Sequence, residues 1–208
     1  MKQGLNYILT LSLICMVTAT LLTAVYLFTR PKILKQKARA QQEALKEVLP
    51  EAGYFEPVIK EGKGLYFRAY ASADKQKLIG YAFIARGQGY SSQIETMAGI
   101  DRQGRISGIR ILSQNETPGL GAKINEVLAE KSLWQRVKEI FGLRKQQAQQ
   151  VFKPWFCEQF KGKKVQALTV VADKTERNIQ AVTGATISSE ALTNSVRQKA
   201  KQILSYGK

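Results

Sequence analysis

From Tyr7 to Phe28 the chain carries no charged side chain (YILTLSLICMVTATLLTAVYLF). As a helix this run spans about 33 Å, enough to cross the hydrocarbon core of a bilayer. Tyr7 and Tyr26 stand near its two ends, where interfacial anchors sit. Arg30 follows, then Pro31, which ends the helix or bends it. The run is longer than a signal-peptide core, and no small-x-small site follows it. Cys15 is preceded by Leu13-Ile14, not by the small residues of a lipoprotein cleavage site. A retained single-span anchor is therefore expected.

Beyond the span, residues 32–48 have weak amphipathic spacing and predict a helix stopped by Pro50. Gly64–Ala71, Lys77–Ala85, Ile94–Ile100 and Ile106–Leu112 predict strands, the last two joined in a hairpin by Asp101-Arg102-Gln103-Gly104. Leu133, Trp134, Val137, Ile140 and Phe141 give a helical period over 132–143. A Gln-rich stretch, Gln146–Gln150, leads to Pro154-Trp155-Phe156. The β-branched run Val165–Val171 predicts a strand. Ser189–Leu204 predicts a last helix with Leu192, Val196, Ala200 and Ile203 along one side. Strands in the middle and helices at both ends define an α+β fold: one transmembrane helix, then one domain with a mostly antiparallel sheet flanked by helices. The expected division is an anchor over 1–30, a juxtamembrane helix over 31–49, and a domain over 50–208 with a helical insertion at about 126–150.

Composition narrows the chemistry. The 208 residues contain no histidine, which excludes Ser-His-Asp and Cys-His catalysis and any His-ligated zinc or haem. Two cysteines, Cys15 and Cys157, cannot hold an iron–sulfur cluster or a Cys₄ zinc site. No metal site and no amino-acid catalytic group is expected, so redox chemistry here rests on an organic cofactor or is absent. The formal net charge is +16, from 32 basic and 16 acidic residues, spread along the whole chain. No basic block interleaved with aromatics is present, so a nucleic-acid partner is not expected. A basic membrane-anchored module for anionic lipid or an acidic protein is the non-enzyme alternative.

Two segments could carry chemistry. Thr183-Gly184-Ala185-Thr186-Ile187-Ser188-Ser189 puts four hydroxyls and one glycine directly before the predicted last helix. Free N–H groups and the dipole at such a terminus suit a phosphate, and the hydroxyls add donors. The plainer reading makes Ser188 or Ser189 an N-cap and Gly184 a turn residue. Glu116-Thr117-Pro118-Gly119-Leu120-Gly121 reads as a Pro-Gly turn. It either closes a hairpin edge or forms a backbone-lined wall against a flat ligand, with Glu116 and Lys123 as polar contacts.

Thr183-Gly184-Ala185-Thr186 resembles the S/T-G-A-T flavinylation motif of the FMN-binding domains of Rnf and Na⁺-translocating quinone reductase complexes. Glu116–Gly121 is similar to the second motif of that family. Trp155-Phe156 with Gln159-Phe160-Lys161-Gly162-Lys163 is similar to a third stretch, and all three occur in the family's order. The chain has Gln180 where the family has Asp, Ser113-Gln114-Asn115 where it often has His, and a longer stretch between Gly121 and Trp155. The resemblance implies FMN joined through its phosphate to Thr186, installed from FAD by a flavin transferase. It implies a cofactor site of Thr186, Thr183, Gly184, Ala185, Ser188 and Ser189, with Glu116, Thr117, Pro118, Gly119, Leu120, Gly121 and Lys123 near the flavin. It further implies an electron-carrying subunit of an ion-translocating ferredoxin:NAD⁺ oxidoreductase, with iron–sulfur and flavin subunits and membrane lipid as partners. The alternatives are the equivalent quinone reductase subunit or a stand-alone carrier. Arg30, Lys32, Lys35, Lys37 and Arg39 after the span favour a cytoplasmic domain by charge alone. The resemblance instead implies an extracytoplasmic domain on a bacterial or archaeal inner or plasma membrane.

Overall fold

The computed structural model describes residues 2–60, 64–126, 154–172 and 178–206. The helix expected over 132–143 and the Gln-rich stretch lie outside the described residues, as does all but the first residue of the 126–150 insertion. The chain divides into two compact units, Met1–Gln42 and Glu43–Lys208.

The first unit is helical. Helix α1 runs over Lys2–Val48, and Pro31 lies inside it. Of the two expectations for Pro31, that it ends the helix is corrected. A proline removes one donor and displaces one carbonyl four residues back, and a helix with bonded turns on both sides can run through it. Residues 6–48 include a stretch long and apolar enough to cross a membrane. Thr10, Thr18, Thr20, Thr23 and Thr29 return their hydroxyls to carbonyls one turn earlier, at 2.7–3.0 Å. These threonine hydroxyls are thus satisfied within the helix, as hydrocarbon requires.

The second unit is built on a five-stranded antiparallel meander. Its strands, adjacent in chain order, are β1 (Tyr54–Lys60), β2 (Gly64–Tyr70), β3 (Leu78–Gln88), β4 (Gln93–Asp101) and β5 (Ile106–Ser113). The β4–β5 hairpin falls where the Asp101–Gly104 turn predicts it. β1 was not foreseen, because Pro57 interrupts its pattern; it is an edge strand, where a missing N–H costs no ladder bond. β3 extends to Gln88, three residues past the expected end.

After β5 come a 3₁₀ turn (Gly121–Asn125), the short helix α2 (Trp155–Glu158) and a second 3₁₀ turn (Val165–Ala167). A two-stranded parallel pair, β6 (Val170–Val171) and β7 (Ile179–Gln180), precedes helix α3 (Thr186–Leu204). The strand expected over Val165–Val171 is corrected. Val165 and Leu168 are both buried, and that three-residue spacing matches a 3₁₀ turn, leaving only Val170–Val171 extended.

α3 covers one face of the sheet. Leu192, Val196, Ala200 and Ile203 pack on Phe83, Ala85, Ile94, Ala98 and Ile100, with Phe156 and Phe160 closing the side. The last residues of α1, with Leu49, cover the other face: Ala44, Leu45 and Val48 pack on Phe67, Ala69, Ala82 and Met97. Each large side chain so buried contributes about 1.5–3 kcal/mol. Both contacts are close. A Cβ on Gly87 would lie 2.4 Å from the Ala191 carbonyl oxygen of α3, and one on Gly99 2.7 Å from that of Val48. Arg110 on β5 pairs with Glu47 at 2.9 Å and Glu43 at 3.5 Å. The fold is the α+β class expected, with α3 held so that its N-terminus meets the β3–β4 and post-β5 loops.

Candidate functional site

α3 begins three residues earlier than the sequence predicts. Its N-cap is Ala185, which supplies no side-chain cap, and its first turn has no acidic residue. The expectation that Ser188 or Ser189 caps the helix is corrected: both lie inside it and are buried. Their hydroxyls are committed to the protein. Ser189 accepts the Val182 N–H at 3.1 Å and donates to the Ala185 carbonyl at 2.9 Å; Ser188 donates to Glu116 at 2.6 Å. Toward a ligand at the helix start, Ser188 can therefore offer its backbone N–H rather than its hydroxyl.

The residues before the helix form a turn closed by Ala185 N–H to the Val182 carbonyl at 2.8 Å. Gly184 occupies its third position at φ +78°, a conformation costly to any residue with a Cβ. Thr183, Gly184, Thr186 and Ile187 are exposed. The backbone N–H groups of Thr186, Ile187 and Ser188 have no hydrogen-bond partner among the described residues. They stand at the positive end of a 19-residue helix, and the Thr186 hydroxyl is exposed beside them.

The second segment folds against the first. Thr117-Pro118-Gly119-Leu120 is a turn closed by Leu120 N–H to the Thr117 carbonyl at 3.1 Å, with Gly119 at φ +77°. Thr117, Pro118, Gly119 and Leu120 are exposed, and Lys123 in the following 3₁₀ turn is half-buried. A Cβ added to Gly184 would meet Leu120 Cδ2 at 3.6 Å, and one added to Gly121 would fall 2.7 Å from Ser188 Oγ. Two motifs more than sixty residues apart therefore form one surface, an exposed ledge rather than a cavity. A concavity of about 570 Å³ between Tyr81, Arg102 and Lys201 lies at the opposite end of α3.

Glu116 sits beneath this ledge, 5% exposed. Oε1 accepts the N–H groups of Ser91 (3.1 Å) and Ser92 (2.8 Å) and the Ser92 hydroxyl (3.0 Å). Oε2 accepts the Tyr90 N–H (3.1 Å) and the Ser188 hydroxyl (2.6 Å). Burial opposes ionisation, but the hydrogen bonds from Ser188, Ser92 and Ser91 outweigh it and hold the carboxyl below the usual carboxylate range. Glu116, expected as a polar contact, thus faces inward with both carboxylate oxygens bonded to protein groups. Sequence reasoning missed the turn Gly89-Tyr90-Ser91-Ser92 that receives it. The signal was present, since a Gly-Tyr-Ser-Ser run between apolar runs supplies a turn with free N–H groups. Tyr90, Leu120 and Ile187 are large exposed apolar side chains around the ledge.

An exposed hydroxyl, free helix N–H groups and a glycine in left-handed conformation fit a phosphate, and the apolar rim fits a flat ring. Comparison with known proteins agrees with that chemistry. Residues 89–201 match the family described as FMN-binding domain, and the chain belongs to that family. Residues 3–48 match the family described as the RnfG N-terminal region, so within the FMN-binding domains the chain belongs with the RnfG proteins. An RnfG relative from Clostridium ljungdahlii, a component of a proton-translocating ferredoxin:NAD(+) oxidoreductase complex, is 32% identical over 94% of this chain and 89% of its own. Its counterpart from Acetobacterium woodii, a component of a Na(+)-translocating ferredoxin:NAD(+) oxidoreductase complex, is 30% identical over 90% of this chain and 86% of its own. Among solved structures, NqrC of Shewanella oneidensis overlaps 76% of this chain and 74% of its own, at 16% identity and a TM-score of 0.45.

Proposed function

We propose that this chain is the flavin-bearing electron carrier of a membrane-bound, ion-translocating ferredoxin:NAD⁺ oxidoreductase of the Rnf type, with FMN joined through its phosphate to Thr186. The observation that carries the reading is the exposed Thr186 hydroxyl beside the uncommitted N–H groups of α3, on the ledge shared with the Thr117–Leu120 turn. Bound FMN supplies the redox chemistry that a chain without histidine or clusters lacks. The chain's own groups hold it: the N–H groups of Thr186, Ile187 and Ser188 face the phosphate, Thr183 adds a hydroxyl, and Leu120 and Ile187 offer apolar contact to the ring. Lys123 is the nearest basic side chain in the loop sequence and favours anionic charge. Residues 1–30 serve as the anchor, 31–49 as the juxtamembrane helix and 50–208 as the FMN domain.

Maturation uses FAD and a flavin transferase. A bond forms between Thr186 Oγ and the FMN phosphorus, the pyrophosphate bond to AMP breaks, AMP leaves, and the hydroxyl proton passes to the transferase. The test is co-expression with a flavin transferase, followed by in-gel fluorescence after denaturation and intact mass. Wild type gains the fluorescence and the mass of one esterified FMN; Thr186→Ala gains neither, and Thr183→Ala keeps both. Equal labelling of wild type and Thr186→Ala, or labelling of neither, overturns the assignment.

The partners in this reading are the iron–sulfur and flavin subunits of the complex and membrane lipid, and the domain lies on the extracytoplasmic side. Cys157 is buried and Cys15 lies in the apolar run, so an introduced thiol is needed to test the side. Lys161→Cys, at an exposed position, labels with an impermeant maleimide in intact cells. Labelling only after lysis would reverse the orientation.

A further inference from the structure

Glu116 is a buried carboxylate with no basic partner among the described residues, held instead by five neutral donors. Its acceptor sites are filled by the protein: a carboxylate offers about four lone-pair directions, and here five N–H or O–H groups occupy them. The cage is also closed sterically. A Cβ on Gly89 would come within 2.6 Å of Oε1, and one on Gly121 within 2.3 Å of Oε2. Among the described residues nothing else reaches the carboxylate, and its filled acceptor sites point to a role within the protein.

What it does reach is α3. Helices commonly carry an acidic or hydroxyl side chain in or just before the first turn to satisfy their free N–H groups. α3 has neither a side-chain cap nor an acidic residue there. The acid arrives from a loop 72 residues earlier and bonds the Ser188 hydroxyl, not the backbone. The helix gains a fixed anchor at its start while the N–H groups of Thr186, Ile187 and Ser188 stay uncommitted. The same carboxylate binds the 90–92 turn and begins the 116–121 loop, so one group sets three segments of the ledge in register.

We propose that Glu116 is a positioning residue: through Ser188 it fixes the first turn of α3 against the 116–121 loop and so presents the Thr186 hydroxyl for esterification, without itself contacting the flavin. This rests on Thr186 as the attachment site.

The experiment uses the full chain in detergent with a flavin transferase and FAD, in two arms. The first is the single-turnover rate of FMN incorporation, followed by intact mass, for wild type, Ser188→Ala and Glu116→Gln. The second is amide hydrogen exchange of residues 189–192, the first hydrogen-bonded amides of α3, beginning with Ser189 N–H to the Ala185 carbonyl, in the same unflavinylated proteins. Ser188→Ala leaves Glu116 its four other donors, so the domain stays folded. Incorporation falls on the order of tenfold or more, the penalty of a misplaced nucleophile, and the 189–192 amides exchange faster while the sheet amides do not. Glu116→Gln, which keeps the shape but not the charge, slows incorporation in the same direction. Wild-type incorporation rates in folded Ser188→Ala, or unchanged exchange at 189–192, overturn the proposal. If wild type takes no FMN at Thr186, the attachment reading fails, and the exchange arm still decides whether Glu116 orders the turn.

Discussion

Gln159 pairs with the backbone of Gln180 as a neighbouring strand would. Its Oε1 accepts the Gln180 N–H at 2.8 Å, and its Nε2 donates to the Gln180 carbonyl at 3.2 Å. One side chain from the segment after α2 thus holds both backbone groups of the residue that leads into the Thr183–Thr186 turn.

Replacing Gln159 by Leu leaves a donor and an acceptor without partners in a half-buried site. The expected loss is about 1–3 kcal/mol of stability, the cost of unsatisfied backbone groups. Gln159→Glu keeps the acceptor and loses the donor, and falls between. Urea denaturation of the detergent-solubilised chain ranks the three.

The β4–β5 hairpin and the last helix were legible in the sequence, because both announce themselves by period. Ile94–Ile100 and Ile106–Leu112 alternate around a turn whose Asp101 accepts the N–H groups of Gln103 and Arg105. Leu192, Val196, Ala200 and Ile203 repeat at helical spacing and do line the core. Where one residue serves two uses, the pattern misleads. Ser188 and Ser189 look like caps because serine favours that position, yet tertiary partners, Glu116 and Val182, claim them inside the helix. Glu116, read as a polar contact in a loop facing a flat ligand, is buried instead. Its inward course depends on the 89–92 turn, 24–26 residues away, and although that turn is legible locally, its pairing with Glu116 is not.

Gly121 and Gly119 differ in kind. Gly121→Ala drives a Cβ to 2.3 Å from Glu116 Oε2 and 2.7 Å from Ser188 Oγ. The expected loss is about 1–3 kcal/mol from overpacking, with misalignment of the ledge. At Gly119 an added Cβ meets nothing, but φ is +77°, and Gly119→Ala costs only the backbone strain of about 1–2 kcal/mol. Thermal unfolding separates them, and FMN incorporation separates them further, since only Gly121→Ala disturbs the Glu116–Ser188 bond.

The Glu116 carboxyl titrates below its ordinary value in the folded protein. A depressed carboxyl adds stability above its unfolded value, about 4.3, and that stability is lost as pH falls through the folded value. Wild type is therefore more stable than Glu116→Gln at neutral pH, and the gap between them closes as the pH is lowered from about 5. Melting temperatures of both proteins across the range from neutral to acid pH measure the closing, with the sign fixed in advance.

Thr96 lies on the α3 side of β4 with its hydroxyl buried and without a hydrogen-bond partner among the described residues. Thr96→Val keeps the shape and removes the unpaired oxygen. A gain of about 1 kcal/mol is expected, read as a higher urea midpoint with an unchanged slope.

Pro31 inside α1 has a use of its own. It donates no hydrogen bond, so the carbonyl of Leu27, four residues back, lacks its helical partner. Within hydrocarbon such a carbonyl costs several kcal/mol; among headgroups, water satisfies it. Just before it, the Arg30 guanidinium lies 5.8 Å from the Tyr26 ring centroid, a pairing suited to the same wet boundary. Tyr26, Arg30 and Pro31 together act as a depth mark. Sinking past them would drag a polar group into oil, so a proline in a helix becomes a natural limit to its draught.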